Sequence, residues 1–232
     1  MVSRIAIIPA RGGSKRIPKK NIRKFCGEPI ISYALNAALD SNLFDCIHVS
    51  TDSESIARVV RELGFKIDFM RSSNLADDHT PIIPVLKYVL EEYQKKGQSF
   101  DEVVLIMPCS PLIDSKDLVA AESLMKKFNY SKSILAVAPY TAPIEWAFEY
   151  GDNGELIPQQ PGSSSIRSQD LKEKYYDAGV FCFFSTDQVL KCDISGNDLS
   201  FVGYKLPKSK AIDIDNDEDW ILAEAMYLGV KR

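Results

Sequence analysis

Short runs of branched and aromatic residues alternate along the chain with segments whose apolar positions recur at helical spacing. Residues 4–9, 45–50, 66–70, 102–107 and 133–138 carry the strand pattern. Between them, Ile30 to Leu39 and the stretches 53–63, 82–95 and 115–128 set their apolar side chains on one helical face. Each helix then serves as a crossover, and the alternation predicts an α/β fold with a parallel sheet covered on both faces. The regularity ends after Ala138. Pro139, Pro143, Gly151, Gly154, Pro158, Pro161 and Gly162 crowd into a stretch rich in Ser and Gln, which marks 139–178 as an insertion. Residues 1–138 and 179–232 are left to form the main α/β domain. Strand character returns at Ala178 to Phe184, and a helix from Trp220 to Tyr227 follows a run of acids.

Composition narrows the class. The 232 residues suffice for a substantial core, with 45% hydrophobic and 26% charged residues, ordinary values for a globular protein. No stretch reaches the roughly 18 apolar residues of a membrane span. The first strand-like run is too short for a secretory signal, so the expected location is the cytoplasm. Five cysteines, odd in number and without a Cys-x-x-Cys pair, are expected to be reduced and structural. The net charge of −4 opposes general nucleic-acid binding, yet residues 11–24 hold seven bases and no acid.

That basic segment, Ala10-Arg11-Gly12-Gly13-Ser14-Lys15-Arg16-Ile17-Pro18-Lys19-Lys20-Asn21, leaves the C-terminal end of the first strand, the edge where open α/β sheets bind ligands. Gly12 and Gly13 let backbone approach a phosphate, and Arg11, Lys15, Arg16, Lys19 and Lys20 suit a triphosphate. Neither the P-loop nor the dinucleotide-binding glycine pattern is present. A loop of solvated charges is the competing reading.

Near the other end stands Ile212-Asp213-Ile214-Asp215-Asn216-Asp217-Glu218-Asp219. Two carboxylates two residues apart on an extended segment share one face, as two ligands of a hard cation such as Mg²⁺ must. Asp217, Glu218 and Asp219 are explained by a helix N-terminus, where negative charge is favourable.

The basic loop and the D-I-D segment together resemble the acylneuraminate cytidylyltransferase family, the CMP-sialic acid synthetases. Val49-Ser50-Thr51-Asp52, Met70-Arg71, Leu75-Ala76-Asp77-Asp78 and Pro108-Cys109-Ser110-Pro111-Leu112 fall between them in the family's order, so the resemblance spans nearly the whole chain. Two departures concern the sugar: Met107 stands where the sialic acid enzymes have Gln, and Tyr176-Asp177-Ala178-Gly179 lacks their arginine. Ser165 to Leu171, Tyr176 to Gly179 and Pro143 to Phe148 look instead like the pseudaminic acid cytidylyltransferases.

The resemblance implies a Rossmann-like three-layer sandwich and a Mg²⁺-dependent transfer of CMP from CTP to a nine-carbon acidic sugar. It implies that Arg11, Ser14, Lys15 and Lys20 hold the triphosphate on the Gly12-Gly13 loop, and that Asn21 and Arg71 hold cytidine. Asp213 and Asp215 are implied metal ligands; Arg11, Lys15, Lys20 and Asp215 are the implied catalytic set. Arg167, Gln169 and Tyr176 are implied at the sugar, and the insertion is an expected dimerisation arm of a homodimer. Pseudaminic acid is the expected sugar, with N-acetylneuraminic or legionaminic acid, or a catalytically silent nucleotide-binding homologue, as alternatives. No nucleic-acid or membrane partner is expected.

Cys109 lacks a histidine partner for thiol nucleophilic catalysis. His48 falls in a buried strand, and His79, in a loop, is a candidate nucleotide contact. Phe181, Phe183 and Phe184 have strand spacing and read as core or subunit interface rather than a stacking platform.

Overall fold

A computed structural model describes residues 2–77, 80–196 and 199–230. The strands and helices run in the order β1 (Arg4–Pro9), β2 (Lys24–Phe25), β3 (Glu28–Pro29), α1 (Ile31–Ser41), β4 (Cys46–Ser50), α2 (Glu54–Glu62), α3 (Ile82–Lys95), β5 (Glu102–Ile106), α4 (Ser115–Lys127), β6 (Ser133–Pro139), β7 (Phe148–Tyr150), β8 (Leu156–Pro158), β9 (Tyr175–Ser185), α5 (Thr186–Lys191), β10 (Phe201–Lys205) and α6 (Asp217–Val230).

Six strands form one sheet in the order β10-β6-β9-β5-β1-β4. Each of β10, β6, β5, β1 and β4 runs the same way, and β9 runs antiparallel between β5 and β6. The strands are buried on both sides because helices cover both: α1, α2 and α4 pack on one face through Leu35, Val60, Leu118 and Met125, and α3 and α5 pack on the other through Leu86, Val89, Tyr93 and Val189. Burying such continuous apolar runs is what a parallel sheet requires. A third cluster, Ile17, Phe25, Ile30, Ile214, Trp220 and Ala223, fastens α6 and the small β2–β3 ribbon beside the loop after β1.

Three local expectations differ from the structure. Residues 66–70 form no strand: Phe69 packs on α3 and Asp68 accepts a hydrogen bond from Tyr93 Oη at 2.6 Å, so side-chain burial rather than sheet pairing accounts for their apolar character. The strand β10 escapes the sequence pattern because it is an edge strand with only partial burial. The last residues assigned to the insertion belong to the sheet, since Tyr175, Tyr176 and Asp177 pair with Pro139, Ala138 and Val137. What remains outside the sheet, 140–174, carries the β7–β8 hairpin, exposed along its whole length.

A buried ion cluster ties the bottom of the sheet. Arg4 Nε pairs with Glu102, its Nη2 reaches Glu122 Oε1 at 3.1 Å and its Nη1 donates to the Leu43 carbonyl at 3.2 Å.

Candidate active site

The loop that follows β1 is fixed against β4 by short-range geometry. Ala10 N–H donates to the Ser50 carbonyl at 2.9 Å, and Gly12 N–H donates to Asp52 Oδ1 at 2.9 Å. A Cβ on Gly12 would stand 2.9 Å from Ser53 Cβ, closer than carbon atoms approach, so glycine is dictated there. A Cβ on Gly13 would meet nothing within 4 Å.

The segment before α6 crosses the same sheet edge. Asp219 Oδ2 accepts the N–H groups of Asp215 and Asn216 at 2.9 and 3.0 Å, and Asn216 Oδ1 accepts that of Asp219 at 3.0 Å. These bonds satisfy donors that a helix start otherwise leaves open. Asp217 pairs with Arg23 at 2.5 Å. Ile214, fully buried in the third cluster, pins the chain between Asp213 and Asp215 while both acids line the cleft. The segment is irregular rather than a strand, and the buried isoleucine does the orienting.

The cleft has a volume of about 300 Å³, and Arg11, Ser14, Lys15, Lys20, Asn21, Arg71, Asp213 and Asp215 all line it. Gly12 and Gly13 belong to the same loop behind that lining. Arg16 donates to Asp215 Oδ1 at 2.8 Å and Lys20 Nζ lies 3.5 Å from the same oxygen. Loss of solvent, and then the neighbouring Asp215, raise the carboxyl pKa of Asp213 above its ordinary value. Two acids and several cationic side chains thus line one cleft.

Arg71 sits in the cleft's inner wall, buried, its pKa lowered first by desolvation although Asp52 Oδ1 lies 3.8 Å from Nη2. Its Nε and Nη2 have no hydrogen-bond partner among the described residues. Buried donors are normally paired, and an orphaned guanidinium edge in a cleft marks where a ligand supplies acceptors. Asn21 joins two walls, its Nδ2 donating to the Arg11 carbonyl at 2.9 Å and its Oδ1 accepting from Cys109 Sγ at 3.3 Å. Burial pushes the Cys109 thiol up to about 12, which keeps it protonated and unsuited to nucleophilic attack.

The remaining candidates lie elsewhere. Arg167 is exposed on the insertion and pairs with Asp170 at 2.9 Å, and Gln169 is exposed beside it. Tyr176 is half-buried on β9, its hydroxyl 3.5 Å from the Ala211 carbonyl. Neither these three nor the phenylalanines of β9 line the nucleotide-sized cleft; Phe181 and Phe183 are core. Asp78 and His79 lie outside the described residues. His48 is core: Tyr93 Oη gives its hydrogen to Asp68 and lies 3.1 Å from His48 Nδ1, so Nδ1 carries the proton. Sequence reasoning assigned no role to Asp52, which touches both the glycine loop and Arg71, or to Gly179. Gly179 adopts φ +63° and would place a Cβ 3.7 Å from Asp213 Oδ2. The signal for Asp52 was its position just past a strand's C-terminal end.

Residues 5–189 match the family described as Cytidylyltransferase. The chain is 37% identical over 225 residues to the pseudaminic acid cytidylyltransferase of Campylobacter jejuni, covering 96% of this chain and 95% of that one. It is 31% identical over 176 residues to a Helicobacter pylori protein named pseudaminic acid cytidylyltransferase and UDP-2,4-diacetamido-2,4,6-trideoxy-beta-L-altropyranose hydrolase, covering 76% of this chain and 33% of that one. In fold it is similar to a CMP:2-keto-3-deoxy-manno-octonic acid synthetase complexed with CTP, with TM-score 0.68, 16% identity and 99% of both chains covered. The chain belongs to the cytidylyltransferase family.

Proposed function

We propose that the protein transfers CMP from CTP to the anomeric hydroxyl of a nine-carbon 2-keto acid sugar, pseudaminic acid, releasing pyrophosphate. The observation that carries the reaction is the meeting, in one cleft, of a basic glycine loop, an orphaned arginine edge and a pair of carboxylates. The likeness to the Campylobacter enzyme over nearly all of both chains supports the sugar. The hydrolase joined to the Helicobacter relative acts on a diacetamido, trideoxy sugar nucleotide, which supports a substrate with N-acetyl groups and a methyl terminus.

Arg11, Lys15 and Lys20 hold the triphosphate, and with Arg16 they take up charge on the departing pyrophosphate. Nε–H and Nη2–H of Arg71 form a side-on donor pair that suits the adjacent N3 and O2 acceptors of cytosine. Uracil presents an N3–H there and leaves one donor opposed. The sugar's anomeric oxygen attacks the α-phosphorus in line, the bond to the β-phosphate oxygen breaks, and the hydroxyl proton leaves to solvent.

Asp213 and Asp215 fit Mg²⁺: they are hard oxygen donors, the first already raised by desolvation and its neighbour's charge, and the second draws two cationic side chains. No cluster of three or more metal-ligating side chains occurs among the described residues, so phosphate and water oxygens would complete the coordination. When bound, the ion neutralises charge on the α-phosphate.

A homodimer joined through the insertion is part of the reading. Phe148, Tyr150, Leu156 and Ile157 of the hairpin are 48–80% exposed, an apolar surface that a second subunit would cover; Arg167 and Gln169 would then face the partner's sugar. A cytoplasmic location follows from the need for CTP, and no helix among the described residues is long and apolar enough to cross a membrane.

Pyrophosphate release from CTP and Mg²⁺ with pseudaminic, legionaminic and N-acetylneuraminic acids in parallel tests the reading. Release with pseudaminic acid is expected. Release with another sugar alone would replace the substrate, and release with none would leave a silent nucleotide-binding homologue.

A further inference from the structure

Asp52 stands between the glycine loop and Arg71, two residues past the end of β4. Its side chain is 27% exposed, and a single atom, Oδ1, serves two partners. That oxygen accepts the Gly12 N–H at 2.9 Å and lies 3.8 Å from Arg71 Nη2. The second approach is an ion pair too long for a hydrogen bond, which is why Nη2 and Nε keep their donors for something else. The backbone on either side has its own supports. The Ser50 carbonyl accepts the Ala10 N–H at 2.9 Å, the Thr51 carbonyl accepts the Arg71 N–H at 2.8 Å, and Ser50 and Thr51 are fully buried. What the Asp52 side chain adds is a link between a buried guanidinium and the Gly12 amide. A carboxylate beside a loop that takes a triphosphate repels that ligand, so charge alone would place no acid here.

We propose that Asp52 is a positioning residue that makes nucleobase recognition felt at the phosphate loop. Cytosine on Nε and Nη2 fixes the guanidinium, the guanidinium fixes Asp52 Oδ1, and that oxygen fixes the Gly12 amide and with it the loop that carries Lys15 and Lys20. The two halves of CTP then bind with positive coupling, because each completes part of the ordering that the other needs. A base that fails to engage Arg71 leaves the loop unset, so discrimination against uracil extends from the base to the seating of the phosphates. The inference rests on the proposed roles of Arg71 at cytosine and of the basic loop at the triphosphate, and adds how the two act together.

Dividing CTP into cytidine and inorganic tripolyphosphate separates the halves. The Kd of tripolyphosphate is measured by calorimetric titration without Mg²⁺, alone and with saturating cytidine or uridine, for the wild type, Asp52→Asn and Asp52→Ala. In the wild type cytidine is expected to tighten tripolyphosphate about fivefold or more, and uridine by less than about twofold. Asp52→Asn keeps an oxygen for Gly12 but removes the charge that faces Arg71, and should cut the cytidine effect to about twofold or less; Asp52→Ala removes both links and should abolish it. Tripolyphosphate alone should bind Asp52→Asn at least as tightly as the wild type, since a negative charge has left the site. An acid acting through repulsion only would give that same tightening with the cytidine effect intact. That outcome in either variant, or a wild type that binds both ligands independently, would overturn the proposal while leaving the transferase intact. A wild type that binds neither cytidine nor tripolyphosphate would instead remove the nucleotide site on which the proposal rests.

Discussion

Arg16 Nη2 stands 2.8 Å from Asp215 Oδ1, joining two residues 199 positions apart in the chain. The pair closes the cleft between the loop after β1 and the segment before α6, with Lys20 3.5 Å from the same oxygen. Both side chains are substantially exposed, 69% and 37%, so the contact contributes little to stability, on the order of 1 kcal/mol or less. Its importance is positional: the loop cations already stand on an acid that lines the cleft. Arg16→Ala is therefore expected to leave the melting temperature within a few degrees of wild type while kcat/KM for CTP falls about 100-fold. Thermal melts and pyrophosphate-release kinetics check both halves, and an unchanged kcat/KM would remove Arg16 from the machinery.

Arg71 presents the opposite balance. It is buried with two donors unmatched among the described residues, a desolvation cost of about 1–3 kcal/mol. Arg71→Met should leave the unliganded protein as stable as wild type or more so, and raise KM for CTP by about 100-fold or more. Differential scanning calorimetry with and without CTP distinguishes this from misfolding, since a generally damaged protein would melt lower in both.

Arg4 holds two buried carboxylates, Glu102 and Glu122, at the base of the sheet. Removing it by Arg4→Met strands Glu102, leaves Glu122 only its pair with Lys126, and should destabilise the fold by about 3–5 kcal/mol. Arg4→Met with Glu102→Leu should recover part of that loss, because the uncompensated charge rather than the lost pair dominates. Urea midpoints of the two variants measure the difference.

His48 is buried against Phe69 and Tyr93, and desolvation lowers its pKa from the ordinary 6.5 to about 4. Between those values the unfolded chain binds a proton that the folded protein refuses, so stability rises with pH through this window. The contribution is fully present above about pH 6.5 and is lost as pH falls toward 4, amounting to at most about 3 kcal/mol. Wild type should lose stability over this range more steeply than His48→Gln, measured as urea midpoints from pH 7 to 4; equal slopes would show that His48 does not govern acid sensitivity.

The alternation of branched runs and amphipathic segments determined the layered α/β architecture, because burial on both faces leaves a continuous apolar signature in β1, β5 and β6 and a one-sided signature in α1 to α4. The basic glycine loop and the Asp213–Asp215 spacing were likewise legible, being local clusters of unusual chemistry. The sequence could not assign β10, whose half-exposed edge position weakens the pattern, nor deny a strand to 66–70, where Phe69 is apolar for packing against α3. Only the tertiary structure brought residues 11–21 and 213–215 into one cleft, because that meeting depends on strand order and on the buried anchor Ile214. It also decided that Arg71 faces the cleft with donors unmet among the described residues, and that Asp52 bridges it to Gly12. Those relationships join residues far apart in sequence, and periodicity and spacing report only on neighbours along the chain.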